Sequence, residues 1–281
     1  MLRDRTQALL SKHGIILDPS RDEQQLIDEE VIANLIDFSG VGGDDVVLEV
    51  GPGVGNITEG LLRRAKTVIC IEKNPKYIPV LRERFKHHPN LDVVLGDALH
   101  EKLPSSDRVV SNLPYMICEA FLQKTFRMEM KSAAFIVPSG FAKILEARAG
   151  EPEYSKLSLQ AQLFYDQGVH IEVPPSAYLP EPRAETFIIS LIPRESSTVA
   201  DEALKQLFRQ GDKLAKNALR EALIRAGICD TKRQAVSFIA ESGVPVETLG
   251  KKVTRLSLKE IASLGNWLRT LTTSLDDHRH R

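Results

Sequence analysis

The amino-acid sequence predicts an α/β protein, in which a doubly wound, mostly parallel sheet is followed by a small all-α C-terminal domain. Two observations carry this prediction. Short, nearly continuous apolar runs alternate with stretches of about 10–15 residues whose apolar side chains recur at helical spacing. After Ser196 only helical patterns remain. We therefore predict an α/β domain at residues 1–195, with a helical extension at 1–40, and a helical domain at 196–281.

The predicted elements follow one another in the order of a three-layer fold, in which right-handed helical crossovers join parallel strands. Residues 22–39 show an amphipathic helix pattern. The predicted strands are 46–50, 67–71, 91–95, 108–111, 133–137 and 186–191. Helices are predicted at about 56–66, around 78–85 and 120–122, and at 204–226, 233–241 and 258–271. The proline-rich stretch from Val169 to Pro182 carries no predicted element.

Length and composition exclude several classes of protein. The 281 residues (31.3 kDa) are 42 % hydrophobic and 27 % charged, an ordinary globular composition. No apolar stretch approaches the ~20 residues that span a bilayer, and the N-terminus lacks the apolar core of a signal peptide. Cys70, Cys118 and Cys229 lie too far apart for a disulfide framework or a zinc knuckle. We therefore expect a soluble, cytoplasmic protein without a metal ion.

The overall charge is balanced, with 37 basic and 38 acidic residues and a net charge of −1. A local excess occurs between Asp201 and Ala240, where eight Lys or Arg residues stand against five Asp or Glu residues, a difference of +3. This excess is a mild signal for contact with an anionic partner such as nucleic acid.

Three predicted strand ends carry residues suited to an adenosine-containing cofactor. Gly51, Gly53 and Gly55 follow one strand and open a helix, so that backbone amides can approach a ligand closely. Glu72 ends the next strand, where an acid can accept both hydroxyls of a ribose. Asp97 ends the third, where it can accept a hydrogen bond from the exocyclic amine of adenine. The G-x-G-x-G spacing departs from the dinucleotide motif, which favours a cofactor without a pyrophosphate, such as S-adenosylmethionine. The alternatives are a tight turn without a ligand, a solvated glutamate and an Asx turn.

The fourth predicted strand ends in the segment Asn112-Leu113-Pro114-Tyr115. Methyl transfer to a base amine needs a nucleophilic nitrogen, whose lone pair is otherwise delocalised into the ring. An asparagine oxygen and a backbone carbonyl can accept the two amine protons, and a neighbouring aromatic ring can stack on the base. The alternative is a proline-containing loop with a packed tyrosine.

Four segments, in this order and spacing, resemble the small-subunit ribosomal RNA adenine N6-dimethyltransferase family. They are VLEVGPGVGNITEGLL (47–62), VICIEKN (68–74), GDAL (96–99) and VVSNLPYMI (109–117). Two later segments, YSKLSLQAQ (154–162) and YLPEPRAETFIISLIP (178–193), are similar to that family as well. The resemblance implies a seven-stranded, Rossmann-like class I methyltransferase domain, with an RNA-binding C-terminal domain. It also implies dimethylation of adenine N6 in 16S-type ribosomal RNA during ribosome assembly, with RNA or a small-subunit precursor as partner and a monomeric enzyme.

The resemblance also implies roles for individual residues. The implied cofactor-binding residues are Gln24, Leu26, Gly51, Gly53, Gly55, Glu72, Lys73, Asp97, Ala98 and Asn112. The implied catalytic residues are Asn112, Leu113, Pro114, Tyr115 and Tyr178. Asn112 and the carbonyl of Leu113 or Pro114 would orient the target amine. Tyr115 would stack on the base, and Tyr178, where the family usually has phenylalanine, would close the other face of the adenine.

Three positions depart from the family pattern. The N-terminal Asp-Gln-His-Phe-Leu-x-Asp motif is replaced here by residues 22–28, with Glu23 at the glutamine position and Gln25 at the aromatic position. Residues 138–140 (Pro-Ser-Gly) replace Gln-Lys-Glu, and Asp212 interrupts a basic run. Glu23 would repel the cofactor carboxylate unless Gln24 or Gln25 takes over the contact. The alternatives are therefore the same fold and cofactor with another RNA or amine, or a catalytically weak ribosome-assembly factor.

Overall fold

The computed structural model describes residues 1–18 and 23–279, with side chains as far as residue 275. The helices are Leu2–Lys12 (α1), Glu29–Ser39 (α2), Asn56–Leu62 (α3), Tyr77–Arg84 (α4), Cys118–Thr125 (α5), Ser139–Glu146 (α6), Lys156–Phe164 (α7), Val199–Phe208 (α8), Ala215–Arg225 (α9), Lys232–Glu241 (α10), Val246–Gly250 (α11) and Leu258–Arg279 (α12). The strands are Gln25–Leu26 (β1), Val46–Val50 (β2), Thr67–Glu72 (β3), Leu91–Leu95 (β4), Arg108–Asn112 (β5), Ser132–Pro138 (β6), Tyr165–Val173 (β7), Tyr178–Leu179 (β8) and Thr186–Pro193 (β9).

Seven strands form one sheet in the order β4-β3-β2-β5-β6-β9-β7. The first five in this order are parallel, whereas β9 runs antiparallel to both β6 and β7. This confirms the predicted doubly wound, mostly parallel sheet. The chain passes from β2 outward to β4 and returns to β5 on the other side of β2. A cleft therefore opens beyond the carboxyl ends of β2 and β5, where open α/β sheets bind their ligands.

The central strands are apolar on both faces because helices cover the sheet on both sides. Residues 133–137 of β6 are all fully or almost fully buried. Helix α2 packs its apolar stripe, including Leu35 and Ile36, against this sheet. It begins after Asp28, whose carboxylate accepts hydrogen bonds from the amides of Glu30 and Val31 as an N-cap.

The structure corrects three of the predicted elements. The helix predicted at 22–39 begins only at Glu29, since Gln25 and Leu26 pair with the short strand β8. Strand β7 was not predicted, because its side chains are largely exposed and a bulge interrupts its register with β9. The helix predicted at 204–226 is two helices, since a turn around Gly211 separates α8 from α9.

The chain divides into two compact units, one of residues 1–148 and 165–193 and the other of residues 149–164 and 194 onward. The second unit therefore includes α7, which the predicted boundary at 195/196 assigned to the α/β domain. Within this unit Lys156 Nζ donates to the carbonyl of Thr254 at 2.6 Å. The sequence motif 154–162 thus belongs to the helical unit by its contacts, although the predicted domain functions stay predictions.

None of the described helices is long and apolar enough to cross a membrane.

Candidate active site

A cavity of about 780 Å³ lies beyond the carboxyl ends of β2, β3 and β5 in the first unit. Twelve residues that the sequence predicts as functional line it: Gln24, Leu26, Gly51, Gly53, Glu72, Lys73, Asp97, Ala98, Asn112, Leu113, Pro114 and Tyr115. The structure therefore brings together residues that are up to 91 positions apart in sequence, the separation between Gln24 and Tyr115. Two predicted residues, Gly55 and Tyr178, do not line the cavity.

The glycine-rich turn between β2 and α3 forms one wall. Gly51, Gly53 and Gly55 have φ angles of 69°, 56° and 88°, in the left-handed region that favours glycine. A Cβ atom at Gly53 would overlap the Gln25 side-chain amide, so a larger residue here would displace that side chain. Gly55 instead faces Phe85, whose ring a Cβ there would overlap, and it begins α3. Gly55 thus serves the packing of the turn. It is not among the residues that line the cavity, and its predicted contact with the cofactor stays a prediction.

Glu72, at the end of β3, is buried and held by backbone amides. Gly53 N donates to its Oε2 at 3.1 Å and Asn74 N donates to its Oε1 at 2.7 Å. Burial raises the pKa of the Glu72 carboxyl, while these backbone hydrogen bonds act in the opposite direction. The glycine turn and the end of β3 are therefore fixed to each other, and the carboxylate is oriented for a ligand hydroxyl.

Asp97 follows β4, and its surroundings stabilise its ionised form. Lys73 Nζ lies 2.9 Å from its Oδ2, and Leu99 N donates to its Oδ1 at 2.9 Å. The hydrogen bond from Lys73 is the largest cause that lowers the pKa of Asp97 to about 2. Lys73, predicted to bind the cofactor, here pairs with Asp97.

Lys124 on α5 was missed by the sequence analysis. Its ammonium donates to the carbonyl of Ala98 at 2.6 Å and to the carbonyl of Glu101. It thereby ties the loop after β4 to the helix that follows the Asn-Leu-Pro-Tyr segment. A lysine on an amphipathic helix carries no sequence signal for such a contact, since it depends on the tertiary fold.

Asn112 is the last residue of β5, and its side-chain oxygen is suited to bind a ligand. Its Oδ1 is buried and receives no hydrogen bond from any of the described residues. Buried acceptors without a donor are uncommon, so this atom is suited to accept a hydrogen bond from an N–H group of a bound substrate. Pro114 packs near Gly51, about 3.8 Å from the position that a Cβ there would take, and joins this end of β5 to the glycine turn.

The carbonyl of Pro114 is already engaged within the protein. It accepts hydrogen bonds from Ile117 N at 3.0 Å and from Cys118 Sγ at 3.6 Å. The sequence left open whether Leu113 or Pro114 supplies the second acceptor for the amine. These contacts favour the Leu113 carbonyl.

Tyr178 is buried next to the cavity wall but does not reach the cavity. Its backbone pairs with Leu26 between β8 and β1, and its hydroxyl lies 2.9 Å from Thr186 Oγ1. Burial raises the pKa of the Tyr178 phenol. The backbone of Tyr178 pairs with strand β1. Tyr178 is not among the residues that line the cavity, and its predicted contact with the substrate adenine stays a prediction.

Glu23 and Gln25, the two residues of the N-terminal motif that differ from the family pattern, lie in different environments. Gln25 is buried, where its Oε1 accepts from Val54 N at 3.0 Å and its Nε2 lies 3.4 Å from the Tyr77 hydroxyl. Glu23 lines the cavity, where its carboxylate accepts from Asp18 N at 3.0 Å and from Asn74 Nδ2 at 3.2 Å. Gln25 therefore stabilises the glycine turn, whereas Glu23 faces the space in which a ligand would lie. Asp22 of the same motif lies outside the described residues.

Part of the basic excess at 201–240 is engaged in contacts within the helical unit. Lys205 is buried and donates to the carbonyl of Arg194, and Lys213 Nζ lies 2.7 Å from Glu221 Oε1. Arg209 lies over the Phe164 ring. These contacts within the helical unit engage three of the eight basic side chains.

Comparison with known proteins agrees with this geometry. Residues 20–254 match the ribosomal RNA adenine dimethylase family. A "Probable ribosomal RNA small subunit methyltransferase A" of Pyrococcus abyssi is 35 % identical over 269 residues, which cover 95 % of this chain and 98 % of the relative. A solved dimethyladenosine transferase from Plasmodium falciparum is similar with a TM-score of 0.58 at 24 % identity, covering 84 % of this chain and 94 % of that chain. The solved 23S rRNA methyltransferase ErmE also has a TM-score of 0.58, at 23 % identity, with 87 % and 99 % covered.

The two solved structures bear on the fold alone at these identities, and they confirm the predicted class I methyltransferase architecture. The family match spans both the cavity and most of the helical unit. The identity to the relative extends over nearly the whole of both chains. This chain therefore belongs to the ribosomal RNA adenine dimethylase family, whose members are S-adenosyl-L-methionine-dependent methyltransferases.

Proposed function

We propose that this protein dimethylates N6 of adenosine in small-subunit ribosomal RNA during ribosome assembly, using S-adenosyl-L-methionine. The observation that carries the proposal is the buried Oδ1 of Asn112, which has no partner in the described part of the chain and lies in the same cavity as Gly53, Glu72 and Asp97. An acceptor at that place is what an attacking base amine requires, and the other three residues suit an adenosine-containing cofactor.

Different residues of the cavity have different roles in the proposed reaction. The bound cofactor supplies an electrophilic sulfonium methyl group. Glu72 and Asp97, which line the cavity, would hold its ribose and adenine, and Gly53 would leave room for close approach of the backbone. Asn112 Oδ1 and the Leu113 carbonyl would accept hydrogen bonds from the two N–H groups of the target amine, which favours a pyramidal nitrogen whose lone pair is less delocalised into the ring. Positioning and exclusion of water then supply most of the rate enhancement.

The RNA substrate follows from the family, and the small subunit is the finer part of the proposal. The relative from Pyrococcus abyssi is named for the small subunit and is similar over nearly its whole length. The similarity to ErmE concerns the fold and so does not favour the large subunit. We also expect a monomer that acts in the cytoplasm without a metal ion.

The proposal is tested by incubating the protein with radiolabelled cofactor and small ribosomal subunits that lack the modification, followed by nucleoside analysis. We expect N6,N6-dimethyladenosine in the RNA. Label in another RNA or another acceptor would show that the reaction is as proposed but that the substrate is a different one. Cofactor binding without transfer to any RNA would overturn the proposal in favour of an assembly factor.

Asn112→Ala provides the matched variant for this assay. Removal of the acceptor should lower the rate of methyl transfer by about a hundredfold or more, in line with the loss of one preorganised polar group at a reacting centre. The dissociation constant of the cofactor should stay within about twofold, since the other cofactor contacts remain. Unchanged single-turnover rates in this variant would remove Asn112 from the mechanism.

A further inference from the structure

The cavity wall carries more negative than positive charge. Among the described residues, its charged side chains are Asp18, Glu23, Glu72 and Asp97 against Lys73 and Lys76, a formal sum of −2 from four acids and two bases. Lys73 is engaged with Asp97 at 2.9 Å. Glu72 and Glu23 have no cationic partner of this kind within 4.0 Å among the described residues, and their charges therefore act on the ligand.

Glu23 and Glu72 are held by one residue. The backbone N–H of Asn74 donates to Glu72 Oε1 at 2.7 Å, and the side-chain Nδ2 of the same residue donates to Glu23 Oε1 at 3.2 Å. The two carboxylates therefore lie on the same wall, and the charge of Glu23 contributes to the raised pKa of Glu72, after the larger effect of burial. Like charges so placed repel each other, and a cationic ligand between or beside them relieves that repulsion.

We propose that Glu23 makes this cavity bind the cationic, methylated cofactor in preference to its neutral, demethylated product. The methylated form has a net charge of +1, from a sulfonium and an ammonium group against one carboxylate, whereas the product has a net charge of zero. A carboxylate on the ribose side of the cavity attracts the additional positive charge of the methylated form. The adenosine and amino-acid groups, which both forms share, contribute equally to the two affinities. The inference rests on the cofactor of the proposed function and is independent of the RNA substrate.

Such discrimination has a consequence for a reaction that adds two methyl groups. In each transfer the amine nitrogen forms a bond to the methyl carbon, the C–S bonding pair stays on sulfur, and the amine releases a proton. The positive charge therefore leaves the cofactor, and the electrostatic attraction to Glu23 ends with it. Since two cofactor molecules are used for each adenosine, weak retention of the product speeds the exchange between the two transfers.

Glu23→Gln isolates this charge. The amide has nearly the same shape and keeps an oxygen that can accept from Asp18 N, whereas its NH2 group replaces the oxygen that accepts from Asn74 Nδ2. Dissociation constants for S-adenosylmethionine, S-adenosylhomocysteine and sinefungin are measured by calorimetry. In sinefungin a protonated amine replaces the sulfonium methyl group. We expect about fivefold weaker binding of S-adenosylmethionine and sinefungin, and a change within about twofold for S-adenosylhomocysteine.

Two further variants make the result decisive. Asp92→Asn removes an equal charge from an exposed position outside the cavity and should change none of the three affinities. Glu23→Ala removes the same charge as Glu23→Gln without an amide to accommodate and should shift selectivity in the same direction. Equal losses for all three ligands, or no loss for any, would overturn the proposal. Failure of the unmodified protein to bind any of them would instead overturn the assigned cofactor.

Discussion

At the scale of single residues, the site depends on positions where one side chain or its absence is required. Gly53 combines a φ of 56° with direct contact to the Gln25 amide, and its own N–H donates to Glu72. Asn112 presents an acceptor that has no partner among the described residues. In the proposed reaction these two positions contact the cofactor and the target amine, respectively. Neither requirement can be met by a residue of merely similar polarity.

Gly53→Ala should therefore disrupt the cofactor site. A non-glycine residue in this conformation costs about 1–3 kcal/mol, and the added Cβ displaces Gln25 from Val54 N as well. We expect cofactor affinity to fall by at least about tenfold, measured by calorimetry. Gly140→Ala is the matched control, because nothing lies within 4 Å of a Cβ built there. Similar affinities of the two variants would contradict the role of Gly53.

At the scale of elements, the loops after β3, β4 and β5 are held together by a few polar contacts. Lys124 on α5 binds two carbonyls of the loop after β4, and Asn74 joins the end of β3 to Glu23. Loops that carry binding residues need such attachment, because their own backbone offers few regular hydrogen bonds. The site is therefore built from side chains that never touch a ligand as well as from those that do.

Lys124→Met tests this attachment. Loss of the ammonium releases the carbonyls of Ala98 and Glu101, so that Asp97 and Ala98 are less well positioned for an adenine ring. We expect cofactor affinity to fall by about three- to tenfold, at the level of one or two charge-assisted hydrogen bonds. Lys102→Met, at an exposed position of the same loop, is the control. An effect of equal size in both variants would show that the loss of charge, rather than the contact, is responsible.

At the scale of the whole molecule, the parallel sheet buries a carboxyl group that the reaction does not use. Glu49 on β2 is almost fully buried, and its Oε2 accepts from Thr58 Oγ1 at 2.6 Å and from Cys70 Sγ at 3.4 Å. Its Oε1 has no partner among the described residues. Burial raises the pKa of Glu49 to about 7. The folded protein therefore binds a proton here more tightly than the unfolded chain.

This proton makes stability depend on pH. The contribution is fully present below the unfolded pKa of about 4.5 and is lost as the pH rises through about 7. Over that range the free energy of unfolding should fall by roughly 3 kcal/mol relative to Glu49→Gln, which cannot ionise. Urea unfolding of both proteins across this range measures the difference. Parallel pH profiles would show that Glu49 does not titrate in this way.

Three features could be predicted from the amino-acid sequence alone: the alternation of strands and helices, the strand ends that line the cavity, and the family. These features are local, since an apolar run, a glycine turn and a strand-end acid are each encoded within a few residues. For the same reason the prediction missed β7, whose exposed antiparallel pairing with β9 gives no continuous apolar run.

The tertiary fold was needed to show which of the predicted residues lie close together. It placed Gly55 against Phe85 and Tyr178 behind the cavity wall, brought Lys124 to the loop after β4, and set Glu23 beside Glu72. It also grouped α7 with the C-terminal helices. These are contacts between residues far apart in the chain, and the free energy of such a contact depends on packing and burial that no local pattern records.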